Sequence, residues 1–149
     1  MIKAWRIPAG DQALPITPVL EVTSGWYPAE PQWRWARSPA QLRITSAIEQ
    51  PATLVLAVAL VHGLGTPVGL AQEGVLIVTN GGETTSFVIK PDEVIRVPVT
   101  IRRGVTDLTL ALGAGNFSPA DYGQDDRRSL SMAFESIDLV TTAQTTLQP

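Results

Sequence analysis

The chain has no cysteine among its 149 residues, so a disulfide framework, a thiolate-held zinc and a thiol nucleophile are all excluded. Lysine is nearly missing, occurring only at Lys3 and Lys90, and the arginines form no run. With a net charge of −3 as well, the chain lacks the basic surface that nucleic-acid binding needs and the polybasic patch that anionic membranes attract. No nucleic-acid partner is therefore expected. Membrane insertion is not expected either, because the longest apolar run, Leu54 to Val61, falls far short of the roughly 20 residues of a spanning helix. The first residues, Met1-Ile2-Lys3-Ala4-Trp5-Arg6, contain no stretch apolar enough for a signal peptide. Read as a complete protein, the chain would be cytoplasmic; read as an excised domain of a surface protein, it would lie outside the cytoplasm.

Helix signals are also scarce. Twelve glycines and twelve prolines are scattered through the chain, leaving few windows long enough for a 3.6-residue period. Alternation takes its place. Segments Val19 to Ser24, Trp33 to Arg37, Gln41 to Thr45, Thr53 to Val61, Val75 to Thr79, Thr84 to Ile89, Ile95 to Ile101, Leu108 to Leu112 and Leu130 to Val140 read as strands, with Ala4 to Ile7 as a further edge strand. In Thr53 to Val61, Leu54, Leu56, Val58 and Leu60 form the bulky face, and Val55, Ala57, Ala59 and Val61 the smaller one. Asn80-Gly81-Gly82 predicts a tight hairpin turn. Pro98 predicts an edge strand or a bulge, because it donates no ladder hydrogen bond. In the last strand the inward set slips by one residue near Glu135-Ser136, as a β-bulge makes it do. About eight to ten strands at this spacing predict an all-β antiparallel sandwich, and no linker divides the chain, so residues 1–149 read as one domain with a polar tail from about 141.

Three of the four tryptophans fall within ten residues, in Gly25-Trp26-Tyr27-Pro28-Ala29-Glu30-Pro31-Gln32-Trp33-Arg34-Trp35. This stretch, together with Asp125-Asp126-Arg127-Arg128-Ser129-Leu130-Ser131-Met132-Ala133-Phe134 and the following Ile137-Asp138-Leu139, resembles an accessory β-sandwich of bacterial cell-surface and glycan-processing proteins. That domain often ends membrane glycosyltransferases. It is similar to the galactose-binding-like jelly roll used by many carbohydrate-binding modules. The resemblance implies a jelly roll in a glycan-related context, although this sequence contains no transferase or membrane region.

The candidate chemistry follows from the same two stretches. An aromatic face can stack on the apolar C–H face of a sugar ring while polar groups fix its hydroxyls. Trp26 and Tyr27, between Gly25 and Pro28, are the candidates for such contact. Trp33 and Trp35 share one strand face and fit a core anchor better. Asp121, Tyr122, Asp126 and Arg127 complete the expected ligand-binding set. Acids at Asp121, Asp125 and Asp126 could hold calcium, but their spacing is not that of an EF-hand loop. An ion pair of Arg127 or Arg128 with these acids or with Glu30 is the favoured reading, and neither metal nor cofactor is expected.

His62 is the sole histidine, no Gly-x-Ser-x-Gly nucleophile elbow occurs, and a cupin-type metal site would need several histidines. Catalysis is thus disfavoured. Asn116-Phe117-Ser118 fits a glycosylation triplet of the sort that arises by chance. Two functional readings stay open. One is a non-catalytic module that binds or targets glycans. The other is a structural module whose smaller apolar face at Val55, Ala57 and Ala59 meets a second copy or a partner protein.

Overall fold

Side chains that alternate between apolar and polar bury one face of an extended chain, and nearly every segment after Ala40 does this here. A computed structural model describes residues 14–141. Nine strands are formed: β1 (Val19–Val22), β2 (Arg34–Ala36), β3 (Ala40–Ser46), β4 (Gln50–Val61), β5 (Gly74–Asn80), β6 (Glu83–Ile89), β7 (Val94–Ile101), β8 (Gly104–Leu112) and β9 (Met132–Thr141). They make two antiparallel sheets, one five-stranded in the order β1-β3-β8-β5-β6 and one four-stranded in the order β2-β9-β4-β7. The chain changes sheet at every connection except the β5–β6 hairpin, which gives the wrapped path of a jelly-roll sandwich. The Ala4 to Ile7 segment and the tail beyond 141 lie outside the described residues.

The core lies between the sheets. Leu42, Ile44, Leu76, Val78, Leu108 and Leu110 face it from the larger sheet, and Leu54, Leu56, Val58, Val97, Val99, Ile101 and Phe134 from the smaller. Burying each such side chain contributes about 1.5–3 kcal/mol before chain entropy is counted. The β5–β6 turn forms at Gly81-Gly82, with Gly81 at φ +62°, a conformation glycine adopts without steric cost. Pro98 lies in β7, at the edge of its sheet, where a missing donor costs least.

Two irregularities decide which residues leave the core. Ser136 pairs with Ala57 and Phe134 with Val58, so Glu135 is an extra residue, at the position where the sequence alternation slips. A second shift, between Val58 and Leu60, leaves Ala59 over on β4. Strict alternation groups Leu60 with Leu54, Leu56 and Val58 on the bulky face and Val61 with Val55, Ala57 and Ala59 on the smaller one. The structure reverses both: Val61 is fully buried in the main core, and Leu60 packs on the outside of the sheet. One added residue turns every later side chain over. The tail needs a smaller correction, since Thr141 is the buried last residue of β9, paired with Ala52.

Candidate functional site

The aromatic segment is a bridge between the two sheets, fixed residue by residue. Gly25, at φ +88°, turns the chain out of β1. Trp26 then forms a β-bridge with Ala36 and donates its indole N–H to the Gln41 carbonyl at 2.8 Å. Its ring centroid lies 5.8 Å from that of Phe134, at the margin of the main core. Tyr27 donates its hydroxyl to the Ser129 carbonyl at 2.9 Å and accepts from the Ser129 amide at 3.2 Å. Arg34 Nε holds the Tyr27 carbonyl at 2.8 Å. A backbone bond from the Glu30 amide to the Trp33 carbonyl, 2.8 Å, closes a turn that carries Pro31 and Gln32 at the surface.

The second stretch is tied to the first by Arg128. Its guanidinium sits 5.3 Å over the Tyr27 ring, donates to Glu30 Oε2 at 3.1 Å, and grips both Asp126 oxygens at 2.7–3.1 Å. The favoured ion pair with Glu30 is thus made by Arg128, not Arg127, which stands exposed without an ion pair among the described residues. Hydrogen bonding to the Arg128 side chain holds the Asp126 carboxyl below the ordinary aspartate range, and the same pair raises Arg128.

A folded-state pKa below the unfolded one stabilises at neutral pH and loses that contribution as pH falls through it. Acidification from pH 7 to below 4 is therefore expected to loosen the 123–129 loop before the sheets melt. The protection factor of the Ser129 amide, its exchange corrected for the intrinsic pH-dependent rate, should fall as pH drops below about 4 in the wild type. In Asp126→Asn that pH-dependence should flatten.

The remaining predicted residues are placed as follows. Asp121 and Tyr122 lie in a short 3₁₀ turn, Pro119–Tyr122. Asp121 is exposed, and the Tyr122 ring meets Phe117 edge-on at 6.0 Å. Phe117 also stacks on His62 at 4.7 Å between centroids, and His62 Nδ1 bonds the Gly69 carbonyl. His62 is 1% exposed and is built into the packing of this loop. Asn116, of the glycosylation triplet, clamps Ser38 by accepting from its amide at 2.7 Å and donating to its carbonyl at 2.9 Å. Among the described residues no three acidic or imidazole side chains converge on a metal position.

Trp33 and Trp35 share one face, as the alternation predicts, and Trp35 anchors a buried cluster. They lie on the outside of the four-stranded sheet in a second apolar cluster with Ala59, Leu130 and Ala133, roofed by Phe117 and Leu70. Trp35 is buried, and Trp33 is partly buried against it. Trp33 and Glu30 line both of two adjacent clefts. The larger, about 440 Å³, opens between the edge strands β1 and β2 and is lined by Leu20, Val22, Gln32, Arg34, Phe134 and Ser136 among others. The smaller, about 240 Å³, continues over Trp35, Phe117, Asp126 and Arg128. The Glu135 bulge signals the larger cleft, because a bulge re-aims the side chains beside it.

No protein-family model matches the chain, and no curated protein matches it by sequence. Several solved structures are similar. A ruminal GH26 endo-β-1,4-mannanase aligns at 10% identity and TM-score 0.49 over 76% of this chain and 20% of its own. A family 35 carbohydrate-binding module from Clostridium thermocellum aligns at 6% identity and TM-score 0.49 over 87% of this chain and 97% of its own. Another, from Cellvibrio japonicus Abf62, aligns at 11% identity and TM-score 0.48 over 83% and 93%. The chain spans about a fifth of the mannanase's length. No helix among the described residues is long and apolar enough to cross a membrane.

Proposed function

We propose that this chain binds a glycan, without catalysing its turnover, in the cleft walled by Trp33. The observation that carries the reading is a partly buried indole lining a cleft of about 440 Å³ whose rim bears Glu21, Gln32, Arg34, Glu135 and Ser136. A sugar ring needs one apolar wall and several hydrogen-bonding groups around it, which is what this rim offers. Gln32 and Glu135 are exposed, with side-chain donors and acceptors uncommitted to other described residues. Trp26 and Tyr27 serve the same site from behind. The first packs on Phe134, which floors the cleft, and the second holds the loop bearing Arg128, which in turn fixes Glu30. Asp126 sets Arg128, while Asp121, Tyr122 and Arg127 are not among the residues lining either cleft. His62 is stacked on Phe117 and buried, and lines neither cleft.

The test is a glycan array followed by calorimetry on the hits. Trp33→Ala is expected to weaken binding by tenfold or more, the size of a lost aromatic anchor of about 1.4 kcal/mol or above. The circular-dichroism spectrum should stay that of the wild type. Glycan binding that survives Trp33→Ala at full strength would remove Trp33 from the site, and an array without hits would remove the reading.

A further inference from the structure

Four strands lie at sheet edges among the described residues: β1 and β6 in one sheet, β2 and β7 in the other. Three are protected against pairing with another chain. β1 has four residues and β2 three, too few for a stable ladder, and β7 carries Arg96 and Pro98. β6 is different. It is seven residues long, Glu83-Thr84-Thr85-Ser86-Phe87-Val88-Ile89, with no proline and no cation.

Its hydrogen-bonding pattern follows from the hairpin. Across a two-residue turn the flanking pair, here Asn80 and Glu83, exchanges backbone bonds. Glu83, Thr85, Phe87 and Ile89 therefore direct their amides and carbonyls to β5. Thr84, Ser86 and Val88 direct theirs outward. The closeness of the Thr79 and Thr84 hydroxyls, 3.5 Å, agrees with their being a pair without backbone bonds. Val88 is 57% exposed and its cross-strand neighbour Val75 44%, so the sheet surface is apolar at the Val88 end of this edge and carries small hydroxyls at Thr84 and Ser86.

We propose that β6 is a self-association edge, pairing antiparallel with β6 of a second copy about a two-fold axis through Ser86. A two-fold axis normal to the sheet must pass through a residue facing its own counterpart. With Ser86 on the axis, Thr84 of each copy faces Val88 of the other. All three outward-directed residues of each copy then enter backbone-bonded pairs. The side chains in contact are small or β-branched, and Glu83 falls opposite Ile89, so no like charges meet. The two five-stranded sheets would become one of ten, still within the size open sheets reach. This surface is separate from the Trp33 cleft, and its argument does not depend on glycan binding.

The experiment is sedimentation velocity on the full chain across micromolar to millimolar concentration. The expected mass rises from 16.0 kDa toward twice that value. Ser86→Pro leaves the β5–β6 ladder intact, because the Ser86 amide does not face β5, and should raise the midpoint concentration at least tenfold. Ser86→Lys, which sets two cations against each other at the axis, should do the same and does not rely on proline being tolerated. The absence of native cysteine allows a register test. Paired residues at this spacing, about 5.5 Å between Cα atoms, fall within disulfide reach. Ser86→Cys should oxidise to a covalent dimer, and Thr84→Cys should not. A monomer at all concentrations, association indifferent to both Ser86 substitutions, or Thr84→Cys crosslinking as readily as Ser86→Cys would each overturn the proposal.

Discussion

Phe134→Ala is expected to cost about 3–5 kcal/mol of folding stability, the range for deleting a buried aromatic ring. Phe134 is 1% exposed, points into the core from β9, and meets Trp26 ring to ring. Its neighbour Glu135 is the bulged residue, so the backbone there cannot slide to fill the void without losing the register that pairs Ser136 with Ala57. The cavity should therefore persist, and the cavity term should be near the upper end. Chemical denaturation would show the midpoint falling with the slope unchanged. Phe134→Leu should lose far less, because it restores most of the volume. Since Phe134 also floors the larger cleft, the alanine variant should weaken any ligand as well as the fold.

Gly25→Ala is expected to be among the most damaging glycine-to-alanine changes at the described residues, at about 2 kcal/mol or more. Two costs add. The backbone at φ +88° disfavours any side chain, and a Cβ there would lie 2.5 Å from the Pro39 carbonyl oxygen and 2.7 Å from Ala40 Cα. Both are backbone atoms, so no side-chain rotation relieves the contact. Ala40 opens β3, and the Gln41 and Arg37 amides bond to the Ser24 and Gly25 carbonyls, so the clash would spread into the turn that orients Trp26. Gly81→Ala is the control. It shares the positive φ, but nothing lies within 4 Å of its Cβ, so it should show the strain without the clash. Thermal unfolding of both variants separates the two costs: Gly25→Ala should fall clearly below Gly81→Ala.

The strands were legible because most carry one clear period. Leu42 and Ile44, Val97 and Val99, and Leu108 and Leu110 alternate with polar residues, and all six are buried as that alternation requires. The bulge at Glu135 was legible for the same reason, as a slip in phase between polar and apolar positions. The second bulge, at Ala59, left no trace. Thr53 to Val61 is apolar on both faces, so shifting its register exchanges one hydrophobic residue for another. Leu60 and Val61 were assigned to the wrong faces in consequence.

The candidate cleft is legible in its parts and less so in its assembly. Residues of both marked stretches line the clefts, and the Arg128–Glu30 pair is one the sequence allows. The partition among the aromatics was harder. Trp26 looked exposed because it follows a glycine at a strand end, yet its indole N–H finds the Gln41 carbonyl 15 residues away, a partner no local pattern reveals. Trp33 looked like a core anchor because it shares a face with Trp35. That face turned out to be the outer one, covered by the Phe117 loop over Trp35 and less so over Trp33. Alternation reports that two residues share a side of a strand. Which side meets the second sheet depends on long-range pairing, here of β2 with β9.

The most direct measurement is chemical-shift mapping by NMR during titration with a glycan selected from the array. Binding at the proposed cleft would move the Trp33 indole resonance and the amides of Gln32, Glu135 and Ser136, and leave those of β6 in place. Shifts confined to the Asp121–Gly123 turn, or none at saturating sugar, would contradict the assignment of this cleft as the ligand surface.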